Sequence, residues 1–246
     1  MLERWRAGRL WGRGSCSALI VGLLCAALAA VASASVRTVT RAEAKSVASA
    51  IALRHSDLPS FEQKPAQPLT VQQRELAAKD SACAGTSPLN AAYALGLSPA
   101  FVSGGTIAQS ATVVFPTAGW QARDLAADAG PRVVPCALAY QKALLSKLPN
   151  GETVSSIRVV RLPATAPVVY GIRATYVLSR PPGAQTAALH SARDVRVAVY
   201  EDGLTIPDGQ ADVGLTVTTF GGPPAPAFEQ HLADLLYARA KATLRS

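Results

Sequence analysis

Histidine is nearly missing from this chain: His55, His190 and His231 are the only three in 246 residues. None has ligand spacing to a cysteine or to another histidine, so no metal site is expected. Charge is sparse as well, at 16% of residues against 49% hydrophobic, which excludes a disordered polyelectrolyte. G-x-S-x-G, H-E-x-x-H, a phosphate loop and C-x-x-C are all absent. No catalytic residue and no cofactor is therefore assigned from motifs.

What the chain does have is an export leader. Arg4, Arg6, Arg9 and Arg13 precede a stretch from position 14 to 36 without one charged side chain. Ala32-Ser33-Ala34 then offers the small-x-small pattern of signal peptidase, with cleavage expected after Ala34. The same stretch is long enough to remain as a membrane anchor through residues 14–36, with the arginines keeping the N-terminus inside. Cys16 and Cys25 lack the residues of a lipoprotein site. The expected plan is a signal peptide or anchor over 1–34, a linker over 35–40, and one extracytoplasmic domain over 41–246, secreted or held at the cell envelope. Setting aside the four leader arginines and Glu3, a net loss of three, takes the charge from +8 to +5. That mild, scattered excess does not suit nucleic acid.

Cys83 and Cys136 are the cysteines outside the leader. In an oxidising compartment they are expected to pair. A catalytic thiol would have no local signature here.

Thr40 with Glu43 makes a capping box, and Ala44, Val47, Ala48 and Ile51 repeat as one helical face ending near Arg54. His55-Ser56-Asp57-Leu58-Pro59 stops it. His55 beside Asp57 reads as a helix-end cap in preference to an oriented base. Residues 60–106 read as long irregular connections. A strand follows over 106–115, with Ile107, Ala111, Val113 and Phe115 on one face. Thr117 caps the next helix, whose face is Ala118, Ala122, Leu125 and Ala126. Pro135 opens another, carrying Cys136, Tyr140, Ala143 and Leu144, before Pro149-Asn150-Gly151 turns the chain. The later half is strand-rich: 157–162, then 168–179 with Tyr170, Ile172, Ala174, Tyr176 and Leu178 alternating against Arg173 and its neighbours. Val195, Val197 and Val199 make an inner face, and Val213, Leu215 and Val217 the next. Asp202-Gly203 and Asp208-Gly209 read as turns. The closing helix puts Phe228, Leu232, Leu235 and Leu236 on one side, with Glu229 early and Arg239 and Lys241 late, as the helix dipole favours. The expected class is α+β: an antiparallel β-sheet meander packed with flanking helices that cover one face.

This order, with Ser56-Asp57-Leu58-Pro59 after the entry helix, Val113-Val114-Phe115-Pro116-Thr117 leading into a helix, Cys136 after it, and Leu235-Leu236-Tyr237-Ala238-Arg239 in the closing helix, resembles a family of exported actinobacterial domains. The family includes lipoproteins and the extracellular sensor domain of a mycobacterial receptor kinase. The resemblance covers most of 41–245 and departs from the kinase sensor in lacking a second disulfide and any kinase domain. It implies the α/β sandwich of the photosystem II extrinsic protein PsbP, and a binding or sensing module with no catalytic residues to carry over.

Two features are candidate binding elements. Trp120, the only tryptophan outside the leader, could line a ligand cleft, with core packing as the alternative. Arg158, Arg161, Arg173, Arg180, Arg193 and Arg196 gather on the strand half. Arg173 and Arg196, opposite the apolar stripes, would meet an anionic partner if neighbouring strands align them, a solvated sheet face being the alternative. The expected function is an exported, non-enzymatic binding or sensor-like domain for a small molecule, a lipid headgroup or an envelope polymer. The alternatives are a secreted hydrolase with an unrecognised site and a structural cell-envelope protein.

Overall fold

A computed structural model describes residues 38–146, 148, 152–180 and 195–245. The leader, the Ala34 cleavage site, Pro149-Asn150-Gly151, His190 and Arg193 lie outside the described residues. Residues Val36–Ser246 make one compact unit. Among the described residues no helix is long and apolar enough to cross a membrane.

The elements in chain order are α1 (Arg41–Ile51), β1 (Glu62–Lys64), α2 (Val71–Ala84), β2 (Ala94–Leu97), β3 (Ala100–Ser103), β4 (Thr106–Val114), α3 (Ala118–Asp128), α4 (Val133–Leu145), β5 (Thr153–Arg161), β6 (Tyr170–Arg180), β7 (Val195–Asp208), β8 (Ala211–Phe220) and α5 (Pro226–Arg245). The fold is α+β, with one eight-stranded antiparallel sheet in the order β1-β3-β4-β8-β7-β6-β5 and β2 pairing β4. β5 to β8 form the expected meander, and β8 then pairs with β4.

Helices cover both faces of the sheet, not one. The alternation of β8 explains why. Ala211, Val213, Leu215 and Val217 are fully buried against α1 and α5, together with Phe101, Ala108, Leu204 and Ile206. The other face carries Val159 and Ala174 against Ala137 of α4. On β4 the deeper face is Ala108, Ser110, Thr112 and Val114, not the Ile107 face. Ser110 fits there because its hydroxyl accepts the Leu53 N–H at 2.9 Å, closing the end of α1.

α1 forms as its sequence dictates. The Thr40 N–H donates to Glu43 Oε2 at 3.0 Å, and Ala44, Val47, Ala48 and Ile51 are buried. Gly96 of β2 lets this helix approach. A Cβ at Gly96 would stand 2.9 Å from Ala48 Cβ and 3.1 Å from the Ala48 carbonyl carbon. Gly96→Ala is therefore expected to destabilise by about 1–3 kcal/mol, as overpacking does. Urea unfolding measures it, and an unchanged midpoint would mean that α1 is free to shift.

Gln210, at the β7–β8 turn, is the buried anchor where the chain enters the fold. It accepts the Val39 N–H at 2.7 Å and donates to the carbonyls of Phe115 and Pro116, each at 2.9 Å. At the other end of α1, Asp57 Oδ2 accepts the Arg54 N–H at 2.7 Å, and Arg239 of α5 forks both carboxylate oxygens at 3.0 and 2.7 Å. Burial opposes the charge on Asp57, but the Arg239 fork and the Arg54 N–H outweigh it and lower its pKa. Both oxygens are spent on the cap and on Arg239, so Asp57 does not orient His55.

Residues 60–106 are not irregular. They contain α2, with β1, β2 and β3. Thr70 Oγ1 accepts the Gln73 N–H at 3.2 Å, and Gly85 ends the helix at φ 83° with its N–H on Ser81 O. No α2 residue is fully buried, and its half-buried row of Gln73, Leu76, Ala77, Asp80, Ser81 and Ala84 mixes polar with apolar side chains, so periodicity finds no clean stripe. The helix packs along α4, and the Cys83–Cys136 disulfide ties the two helices with Cα atoms 5.8 Å apart. Gly104 and Gly105, at φ 53° and 82°, make a two-residue hairpin between β3 and β4.

Three smaller expectations are corrected. Pro135 is the third residue of α4, still inside the first turn where its missing N–H costs nothing. The inward residue of α3 is Gln121, while Ala122 and Ala126 are exposed, because the sheet offers α3 an aspartate, Asp212. Asp202-Gly203 lies inside β7 and turns nothing. Asp208-Gly209 does turn the β7–β8 hairpin, with Gly209 at φ 59°.

At its outer side β5 is bulged. Its register with β6 shifts between Ser155 and Arg158, and Ser156 takes φ 57°. At the opposite edge, β1 is three exposed residues in which Lys64 pairs with Glu62 at 2.8 Å.

Candidate functional site

Antiparallel register sets Arg173 of β6 directly opposite Asp202 of β7. Period two sends both side chains to the sheet face that α5 covers. Arg173 Nε donates to Asp202 Oδ1 at 2.7 Å and Nη2 to Oδ2 at 2.5 Å, a two-point fork. Asp202 is 0% exposed. This pairing is why an Asp-Gly dipeptide stays in a strand: the carboxylate is satisfied across the ladder and is not free to bend the backbone.

The first turn of α5 lays Glu229 over the fork. Glu229 is 8% exposed, its Oε1 is buried with no hydrogen-bond donor, and it stands within hydrogen-bond reach of Asp202. Burial first, then the hydrogen bond to Asp202 and its charge, push the Glu229 carboxyl up to about 8, with Arg173 pulling the other way. The two carboxyls thus share a proton at neutral pH, which gives the orphan oxygen its partner. The set Arg173⁺, Asp202⁻ and protonated Glu229 sums to zero charge.

A cleft of about 530 Å³ opens over this set. Its walls are Leu162, Pro163, Val168, Leu204, Pro226 and Ala227, and Arg173, Glu229, Thr165 and Gln230 supply its polar groups. The 162–169 loop forms one side. Leu162 N–H donates to Gly171 O at 2.8 Å, and Gln230 Nε2 holds Ala166 O at 2.8 Å. Gly171 permits the approach, since a Cβ there would lie 3.0 Å from Leu204 and 3.2 Å from Leu162. A second cleft of about 560 Å³, lined by Pro68, Leu69, Arg74, Pro88, Leu95 and Leu97 among others, lies between α2 and β2. It holds no buried charge.

The chain matches no family profile, and comparison with curated proteins finds no relative. Among solved structures the likeness is loose. One of the matches is the extracellular domain of PknH from Mycobacterium tuberculosis, 10% identical, with a TM-score of 0.38 over 84% of this chain and 99% of that one. No residue of the cleft is carried over from it.

The structure does not bring the sequence candidates together. Trp120 sits on α3, 36% exposed and on the face of the sheet away from Arg173. Arg173 and Arg196 share a sheet face, but Arg196 pairs in register with Ser179, six residues along β6 and so about 20 Å away. Arg196 is exposed, whereas Arg173 is spent largely on Asp202. Arg161 caps the end of α3, donating to the carbonyls of Asp128, Ala129 and Gly130 at 2.9–3.2 Å, and stacks over Tyr170. Sequence reasoning missed Glu229, which it read as a dipole partner, and Asp202, which it read as a turn.

The opposite face holds a separate acidic group. Gln121 Nε2 donates to Asp212 Oδ1 at 2.7 Å, while Asp124 accepts the Ser87 N–H. Burial pushes Asp212 and Asp128 up to about 7 each, from an ordinary 3.8, with neighbouring aspartates adding to it. A carboxyl raised in the folded state costs stability as pH climbs from about 4 to about 7, and the loss is complete above. Asp212→Asn keeps the oxygen that Gln121 needs and removes the charge. It is expected to stabilise the protein at pH 8 by about 2 kcal/mol and to change little at pH 4. Thermal melts across that range check it; a loss at both pH values would show that Asp212 is needed ionised.

Proposed function

We propose that residues 41–246 form an extracytoplasmic, non-enzymatic binding or sensor-like domain whose ligand occupies the Arg173–Glu229 cleft. The observation that carries this reading is a buried charge set placed at an opening. A fork that served stability alone has no need of a cleft with apolar walls above it. The disulfide supports a location outside the cytoplasm, as does the leader.

Asp202 supports binding over hydrolysis. Both its oxygens are held by Arg173 and it is fully buried, so the pair cannot present two carboxyls to a substrate. His55 and His231 are exposed and line neither cleft.

Native mass spectrometry of the protein taken from its own envelope tests the proposal. Wild type should carry a small-molecule adduct. Ala227→Trp, which fills the cleft from its exposed rim, should lose it. Identical spectra for the two proteins would overturn the reading.

A further inference from the structure

The cleft's own chemistry narrows the ligand, on the reading just given. We infer that it takes a neutral amphiphile, with an aliphatic body and a head that both donates and accepts a hydrogen bond, as a primary amide does, seated between Arg173 and Glu229.

Arg173 uses Nε and Nη2 on Asp202 and leaves Nη1 without a partner among the described residues. Its side chain is 24% exposed and lines the cleft. This is a donor edge. Glu229 also lines the cleft; its buried Oε1 is turned to the proton shared with Asp202, which leaves Oε2 to supply an acceptor. Donor and acceptor side by side match a head of the reversed pattern. Charge sets the rest. An anion would compete with buried Asp202 for the single guanidinium, leaving a carboxylate unpaired. A cation would face Arg173 and the positive end of α5, which begins at Pro226. A neutral head meets neither penalty, and Leu162, Val168 and Leu204 receive the hydrocarbon.

The charged groups facing Glu229 are Asp202 of β7 and Arg173 of β6. Tyr200 of β7 acts on Arg173, Asp234 on the next turn of α5 accepts from Gln230, and the 162–169 loop brings no charge. Once Glu229 ionises, the set carries one negative charge, and a cationic head becomes the better match.

Calorimetric titration of the purified protein with octanamide, octanoate and octylammonium reads this directly. At pH 6 octanamide should bind about ten-fold tighter than either charged probe. Arg173→Lys, which keeps a cation for Asp202 but lacks the free edge, should weaken octanamide about five-fold. At pH 9.5 octylammonium should gain on octanamide in wild type but not in Glu229→Gln, and Ala227→Trp should abolish all binding. Tighter octanoate or octylammonium at pH 6, blocked by Ala227→Trp, would overturn the neutral head while leaving the cleft as the binding site. Octanamide binding that survives Ala227→Trp, or no binding of any probe, would also overturn the inference.

Discussion

Reducing the Cys83–Cys136 bond, or replacing Cys136 by Ser, is expected to cost about 4 kcal/mol, from a loop of 53 residues in the chain-entropy picture. The loss should not spread evenly. α2 buries no residue fully, so without the bond its 14 residues keep only their caps and the half-buried packing along α4. Hydrogen exchange should show residues 71–84 exchanging near the rate of an unstructured chain in the reduced protein, while β8 and α5 stay protected. Uniform loss of protection across the sheet would mean that α2 is integral to the core. A helix still protected after reduction would mean that the covalent tie is redundant. The α2–β2 cleft should disappear with the helix, whereas the Arg173–Glu229 cleft should persist, since α2 does not line it.

Breaking the buried fork is the second large effect. Arg173→Leu leaves Asp202 fully buried beside Glu229 with no positive partner, and a cost of about 3–5 kcal/mol is expected. The cost should grow with pH, because the two carboxyls can hold one proton comfortably but must shed it in base. Arg173→Leu with Asp202→Leu should recover most of the loss, as replacing a whole buried pair with apolar residues generally does. Denaturant unfolding of the single and double variants, with unchanged slopes, decides it. A single-variant cost under about 1 kcal/mol would show that water reaches Asp202.

Legibility in the sequence tracks the presence of a repeating apolar face. α1 and β8 each bury a full stripe and β6 and α5 most of one, so Val213, Leu215 and Val217, or Leu232 and Leu236, announce their elements. α2 has no clean stripe, and β2 and β3 are four residues each, too short for alternation to register. α3 turns Gln121 inward where its alanines look the better face, since the aspartate that receives it lies 91 residues away. The candidate site was hidden for the same reason. Arg173 stands on the wetter phase of a clean strand, and only α5, packed over that phase, converts it from a solvated residue to a half-buried one. Glu229 obeys the helix-dipole preference so well that its burial leaves no local mark.

The two ends of the sheet bear on how this protein behaves when crowded. A flat, free strand invites another chain to zip onto it, and the invitation is withdrawn here at both margins. The kinked, left-handed step at Ser156 spoils hydrogen-bond spacing along β5, and β1 presents three charged or polar residues too few to template a ladder. Sheet growth past β5 and β1 is thereby blocked, which leaves β2, a four-residue strand that pairs with β4 alone, as the remaining short edge.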